Sequence, residues 1–289
     1  MSTPPKPLVT GYYHPATFSI VYLVQDPHSK HAAIIDPVLD YDEKAGRVST
    51  ATADALLAEI AQRDLTIDWI LDTHPHADHF TAASYLKDRL GAPIAIGAKV
   101  TDVQRLWRDI YNTPDLPCDG TPWDRLFEAG DTFEVGSLRG SVMFSPGHTL
   151  ASITYVFGDA AFVHDTLFQP DYGTARADFP GGDAGMLYDS IMAILALPGD
   201  TRLFTGHDYQ PGGRESRWES TVDEQQRLNP HLKNNPSRDD FIRAREARDR
   251  TLPMPKLILH ALQVNLRGGR LPPPENNGRS YLKIPIDAL

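Results

Sequence analysis

Cysteine is nearly absent: among 289 residues only Cys118 carries a thiol, so no disulfide can close within the chain and a reducing compartment is expected. Long apolar runs are missing too, which argues against a helix that crosses a bilayer. The first residues, Met1-Ser2-Thr3-Pro4-Pro5-Lys6-Pro7, have neither a basic patch nor an apolar stretch. No secretory leader is read there, and a cytoplasmic location is the expectation. Positive charge is in deficit, with 28 Lys and Arg against 38 Asp and Glu, a net charge of −10 that speaks against a nucleic-acid partner. Cys118 lies among Pro114, Pro117 and Pro122 with no histidine beside it, a poor setting for a nucleophile.

What remains is the composition of a soluble globular protein, long enough for one large domain or two small ones. The acidic excess falls in the first two thirds, and the last third is basic. There Arg238, Arg243, Arg245, Arg248 and Arg250 fit a solvated helical surface; the alternative is a role in binding an anionic small molecule.

One segment dominates the chemistry. In Thr73-His74-Pro75-His76-Ala77-Asp78-His79, four candidate metal ligands fall within six residues, directly after the apolar Trp69-Ile70-Leu71. An extended chain sends alternate side chains to one side, so His74 and His76 are expected to converge on one point. Asp78 and His79 then sit at the entry to a helix and aim at a neighbouring point. Imidazole and carboxylate together suit zinc or iron.

Short apolar runs at residues 20–24 and 32–36 read as strands split by the turn Asp26-Pro27-His28-Ser29-Lys30. Leu56, Leu57 and Ile60 give residues 51–65 a helical period, and residues 66–73 return to strand. A helix over 81–90 stops at Gly91, a short strand follows at 93–96, and Val100, Val103, Leu106, Trp107, Ile110 and Tyr111 line one face of the next helix. The middle is strand-rich at 132–135, 140–144, 153–157 and 161–164, with a hairpin at Gly158-Asp159. A helix over 186–197 and a strand over 202–205 follow. Beyond them the chain reads as helical and polar, broken at Pro230, Pro236, Pro253 and Pro255, with a loop-rich tail at Pro272-Pro273-Pro274. The apolar stretch 257–262 is expected to pack on the main body or on another subunit, with His260 buried. This order suits a layered α/β sandwich more than a simple βαβ alternation.

Three further polar residues share one setting, the end of a strand. His148 follows Ser145-Pro146-Gly147, Asp165 closes residues 161–164, and His207 closes Phe204-Thr205-Gly206. Together with the first cluster they read as one metal centre.

On these motifs the chain resembles the metallo-β-lactamase superfamily over roughly residues 10–230: His-x-His-x-Asp-His, then Pro-Gly-His-Thr at 146–149, Asp-Thr-Leu-Phe at 165–168 and Gly-His-Asp-Tyr at 206–209. Within it the chain is most similar to the persulfide dioxygenases, in a bacterial branch called β-lactamase hydrolase-like. Gly173-Thr174-Ala175-Arg176-Ala177-Asp178-Phe179, Leu197-Pro198-Gly199-Asp200, Leu228-Asn229-Pro230 and Leu252-Pro253-Met254-Pro255-Lys256 carry that likeness. It implies a four-layer αβ/βα sandwich as the catalytic domain, with residues 231–289 as a helical, loop-rich extension packed on it. It also implies a single Fe(II) held by His74, His148 and Asp165, with Asp78, His79 and His207 as catalytic groups. His76, Asp78, His79 and His207 would orient ligands and water or hold a second metal. Arg176 and Tyr209 are implied to contact the substrate; a structural pair of Arg176 with Asp178 is the alternative. The implied partners are a persulfide such as glutathione persulfide and O2, with no membrane and a possible homodimer. The segment from Asp165 to Arg176 is longer than the compact turn of animal members, so the thiol carrier stays open. The runner-up is a glyoxalase II-like dinuclear hydrolase of glutathione thioesters, with zinc in place of iron, and a third possibility is a non-catalytic metal-binding or partner-binding protein on the same fold.

Overall fold

The computed structural model describes residues 5–289; the leader reading above therefore lies partly, at residues 1–4, outside the described residues. Alternation along each strand explains how the layers form. In Ser19–Gln25, Val21 and Leu23 turn to one face while Ile20, Tyr22 and Val24 turn to the other, and in His31–Ile35 Ala32 and Ile34 oppose Ala33 and Ile35. Both faces are buried, which is why these strands read as unbroken apolar runs rather than alternating ones.

One six-stranded sheet runs in the order Leu8–His14, Ser19–Gln25, His31–Ile35, Thr66–Leu71, Ile94–Gly97, Arg125–Phe127, its first three strands antiparallel and the rest parallel. The second has the order Thr132–Val135, Leu138–Phe144, Ile153–Phe157, Ala160–His164, Arg202–Thr205, Glu219–Thr221, with only Ala160–His164 and Arg202–Thr205 parallel. Their facing sides meet in an aromatic core that includes Tyr22, Phe127, Phe133, Tyr155, Phe157, Phe162 and Phe204. Each such ring removed from water contributes on the order of 2–3 kcal/mol. Helices Ala51–Gln62, Ala83–Leu90, Val100–Tyr111 and Ile258–Asn265 supply apolar residues to the outer face of the first sheet. Helices Ala184–Leu195, Val222–Leu228 and Arg238–Asp249 do so for the second. The result is the expected αβ/βα sandwich.

Two local readings shift. Residues 80–81 pair with Val38–Asp42 in a small third sheet, so the helix expected from 81 begins at Ala83. The helix expected over 51–65 ends at Gln62, because Arg63 caps it and Asp64 turns left-handed at φ 55. The stretch 257–262 does enter the core, and it does so on this chain's own first sheet; His260 is only half-buried, against Tyr41. Nor is the arginine helix wholly a solvated surface: Arg245 is buried in a pair with Asp249 at 2.6 Å. Among the described residues no helix is long and apolar enough to cross a membrane.

The turn before His31–Ile35 carries a stability switch. Asp26 is fully buried and joins the two sheets through Ser137, whose N–H and hydroxyl donate to it at 2.7 and 2.9 Å. Burial pushes the Asp26 carboxyl up, but the N–H groups of Ser137 and His28 and the hydroxyls of Ser29 and Ser137 outweigh it and hold it at about 2. A carboxyl lowered on folding stabilises above its unfolded value of about 4 and loses that contribution as the pH falls toward 2. Asp26→Asn is therefore expected to cost on the order of 2 kcal/mol at pH 6, with the gap to wild type closing below pH 4, as read by urea unfolding across pH.

Candidate metal centre

All the candidate ligands leave the ends of strands at one edge of the sandwich. His74 to His79 follow Thr66–Leu71, His148 lies in the loop between Leu138–Phe144 and Ile153–Phe157, and His207 follows Arg202–Thr205. Asp165 follows Ala160–His164, where pairing to Arg202–Thr205 slips between Phe162 and His164 and His164 adopts φ 40. The close approach at Gly206 is enforced, since a Cβ there would lie 2.5 Å from Asp165 Oδ1.

His74, His148 and Asp165 bring one ligand atom each to within 4.8 Å of one another, and all are buried. Asp165 Oδ2 is 3.8 Å from His74 Nε2 and 3.6 Å from His148 Nε2. The His148 Nδ1–H donates to the Arg176 carbonyl oxygen at 2.9 Å, which leaves the Nε2 lone pair facing the site. Burial, reinforced by the imidazoles of His76, His164 and His148, holds His74 well below the ordinary histidine range, so it too presents a lone pair at neutral pH.

A second group shares one member: Asp78, Asp165 and His207 also meet within 4.8 Å, as do His76, Asp78 and His79. His207 Nε2 lies 3.4 Å from both Asp78 Oδ2 and Asp165 Oδ1. Burial opposes its charge, but those two carboxylates raise it to about 10. Asp78 Oδ2 is also approached by Ser19 Oγ at 3.2 Å and His79 Nδ1 at 3.0 Å. The expected convergence of His74 and His76 needs correcting. Their rings lie 4.2 Å apart, yet their ligand atoms fall in separate groups, because His76 Nε2 is turned to Asp36 at 3.1 Å.

The donor set fits a cation. Among the described residues His74 Nε2, His76 Nδ1, His79 Nε2 and Asp165 Oδ1 are buried with no hydrogen-bond partner. Leaving such atoms bare costs about 1–3 kcal/mol each, and lone pairs gathered at one place are what a metal ion satisfies.

The edge opens into a cavity of about 830 Å³ lined by Asp78, His148 and Asp165 on the inside. Phe18, Phe168, Tyr172 and Tyr209 make one wall, with Tyr209 stacked on His207 at 5.7 Å. Arg176 also lines the cavity, but its guanidinium is engaged within the protein. Nε and Nη2 donate to Asp178 at 2.6 and 2.8 Å, and Nη1 donates to the Pro253 carbonyl at 2.6 Å. Its position therefore shapes the cavity by holding the 252–257 segment, and the pairing with Asp178 weighed from the sequence is present.

Two residues that hold the centre were not singled out from the sequence. Asp36, at φ 51, accepts the Thr73 N–H at 2.7 Å and hydroxyl at 2.8 Å and orients His76. It carried the same signal as Asp165, a carboxylate closing an apolar strand. Asn265, at the end of helix Ile258–Asn265, donates through Nδ2 to the carbonyls of His76 and His79 at 2.7 Å each, and its Oδ1 accepts the Thr81 N–H at 2.8 Å. No local signal marks it, since its partners lie more than 180 positions away.

Comparison with known proteins gives the family and the fold. Residues 15–207 match the model of the metallo-beta-lactamase superfamily. A beta-lactamase hydrolase-like protein of Xylella fastidiosa is 66% identical over 98% of this chain and 65% of its own length, so the chain spans about two thirds of that relative. Glyoxylase B2 of Dictyostelium discoideum is 44% identical over 92% of each. Among solved structures, ETHE1 from Myxococcus xanthus superimposes with a TM-score of 0.74 at 31% identity, covering 91% of this chain and all of that one. Persulfide dioxygenase ETHE1 of Homo sapiens is 31% identical over 91% of this chain.

Proposed function

This chain belongs to the metallo-β-lactamase superfamily, and we propose that it is a persulfide dioxygenase working at a single ferrous ion. His74, His148 and Asp165 would hold that ion. Bound by two imidazoles and one carboxylate, a ferrous ion would supply the redox chemistry that lets a persulfide react with dioxygen. In the balanced reaction a persulfide, O2 and water give a thiol, sulfite and two protons.

The rest falls to this chain's own side chains. The aromatic wall of Phe18, Phe168, Tyr172 and Tyr209 keeps water from the reacting sulfur and leaves room for a thiol carrier such as glutathione. Tyr209, stacked on His207, stands where it can touch that carrier. Arg176 steadies the 252–257 segment that closes the opposite side. Asp78, His79 and His207 form a hydrogen-bonded cluster beside Asp165 and would manage protons from water and product.

The reading of one ion over two is supported by the likeness to ETHE1 at 31% identity and by the group in which His74, His148 and Asp165 meet without a residue of the 76–79 loop. The competing reading, a glyoxalase II-like hydrolase with two zinc ions, draws on the second ligand group of Asp78, Asp165 and His207 and on the likeness to Glyoxylase B2. Adding glutathione persulfide to the iron-loaded protein in an oxygen electrode separates the two. The proposal expects oxygen uptake with sulfite released in equal amount. Cleavage of a glutathione thioester without oxygen, and no uptake with the persulfide, would overturn it.

A further inference from the structure

Two aspartate–tyrosine pairs meet on one side of the cavity. Asp171 precedes Tyr172 in the segment after Asp165, and Asp208 precedes Tyr209 directly after His207. Both tyrosine rings line the cavity, with centroids 4.9 Å apart. Buried Phe168 stands behind them at 5.6 Å from each. The rings themselves are 42% and 37% exposed, so packing covers only part of each.

Arg214 joins the two loops. Its Nε and Nη2 donate to Asp171 at 2.6 and 2.9 Å, and its Nη1 and Nη2 donate to Asp208 at 2.6 and 2.8 Å. Nη1 also donates to the Glu215 carbonyl at 2.9 Å, so all five guanidinium N–H groups are used. The chain returns from Asp208 to Arg214 through left-handed backbone at Gln210, Gly212 and Gly213, and two glycines make that turn easy.

The two sides are not held alike. Asp208 is buried, accepts the Arg217 N–H at 2.6 Å, and donates its own N–H to the Phe18 carbonyl at 3.0 Å. The Asp171 side chain is 45% exposed, and among the described residues Arg214 is the partner of its carboxylate. The far end of its loop is anchored at Gly173, whose carbonyl accepts from Asn229 Nδ2 at 3.1 Å. The pair of Asp171 with Arg214 ties the near end, beside Tyr172.

We propose that Arg214 is a positioning residue for the thiol carrier: by gripping Asp171 and Asp208 it presets Tyr172 and Tyr209 as a two-ring platform for glutathione at the cavity mouth. A ring already in place loses little freedom when the carrier arrives, and freeing one such side chain lowers affinity up to about tenfold. The inference rests on the centre acting on a sulfur borne by glutathione, and the platform serves a persulfide or a thioester alike.

The test compares iron-loaded wild type, Asp171→Ala, Tyr172→Ala and the double variant, with a melting curve and iron content for each. Asp171 is the arm to cut, because removing Arg214 would strand the buried Asp208 carboxylate and endanger folding. KM and kcat are read in the oxygen electrode with glutathione persulfide, and Kd for glutathione by calorimetry without air. Asp171→Ala is expected to raise KM and Kd about five- to tenfold, with kcat within about twofold and iron content unchanged. Tyr172→Ala should raise both at least as much, and the double variant should match Tyr172→Ala, because the aspartate acts through the tyrosine. Wild-type KM and Kd in a folded Asp171→Ala overturn the proposal. Losses that add in the double variant, a loss confined to kcat, or a wild type that does not bind glutathione overturn it too. If wild type binds glutathione but takes up no oxygen with the persulfide, the dioxygenase reading has failed instead, and the calorimetric comparison decides the platform on its own.

Discussion

Asp165→Asn is expected to leave a folded protein that neither retains metal nor turns over. The carboxylate is shared by the group of His74 and His148 and the group of Asp78 and His207, and it is the only acidic member of the former. Losing a ligand of this kind should lower activity by roughly three orders of magnitude or more, beyond the 10–100-fold typical of groups that merely orient ligands. The sign of the stability change separates this from simple damage. Burial raises the Asp165 carboxyl, against the pull of His207 and His148, so the ionised group is held at a cost when no cation is present. Stripped of metal by a chelator, Asp165→Asn should melt no lower than stripped wild type. Only wild type should gain melting temperature on adding Fe(II), because only it binds the ion in the folded state. Thermal melts with and without Fe(II), alongside metal analysis, check both halves. A variant that still takes up iron and gains stability from it would remove Asp165 from the ligand set.

Asn265→Ala is expected to be the most damaging change outside the ligands. The side chain closes three buried hydrogen bonds, to the His76 and His79 carbonyls and from the Thr81 N–H. Truncation leaves these groups without partners at about 1–3 kcal/mol each, on the order of 5 kcal/mol in all. At roughly 2–4 °C per kcal/mol for a domain approaching this size, a fall of 10 °C or more in melting temperature is expected. Because the clamp fixes the loop that carries His74, His76, Asp78 and His79, metal affinity should drop about 10–100-fold as well. Asn265→Asp, which keeps the acceptor for Thr81 but loses the donors, should restore little of either. Wild-type iron affinity in Asn265→Ala would show that the helix Ile258–Asn265 only covers the sheet.

Asn265 also marks where reading the sequence stops. His74, His148, Asp165 and His207 were legible because each is a polar residue closing an apolar strand, and strand ends gather at one edge in a sandwich. The helices with a clear apolar period, such as Val100–Tyr111, were legible for the same local reason. What escaped depends on contacts distant in sequence. Helix Ile258–Asn265 showed an apolar face, but nothing near it says that its last residue reaches the metal loop. Phe80–Thr81 looks like the start of a helix until Val38–Asp42 pairs with it. The Arg176 side chain was readable as a candidate for substrate or for Asp178; the Pro253 carbonyl that takes its remaining arm is 77 positions away. The Ser19 hydroxyl beside Asp78 was silent, since serine near a turn ordinarily needs no further reason.

The most direct test is the metal content of the protein purified without air and without added metal, counted per chain. One iron, lost in Asp165→Asn and in His148→Ala but kept in His207→Ala, is the predicted result, because His207 stands outside the group of His74, His148 and Asp165. Two zinc ions per chain, with one surviving in His148→Ala and one in His207→Ala, would contradict the account and place the hydrolase in its stead.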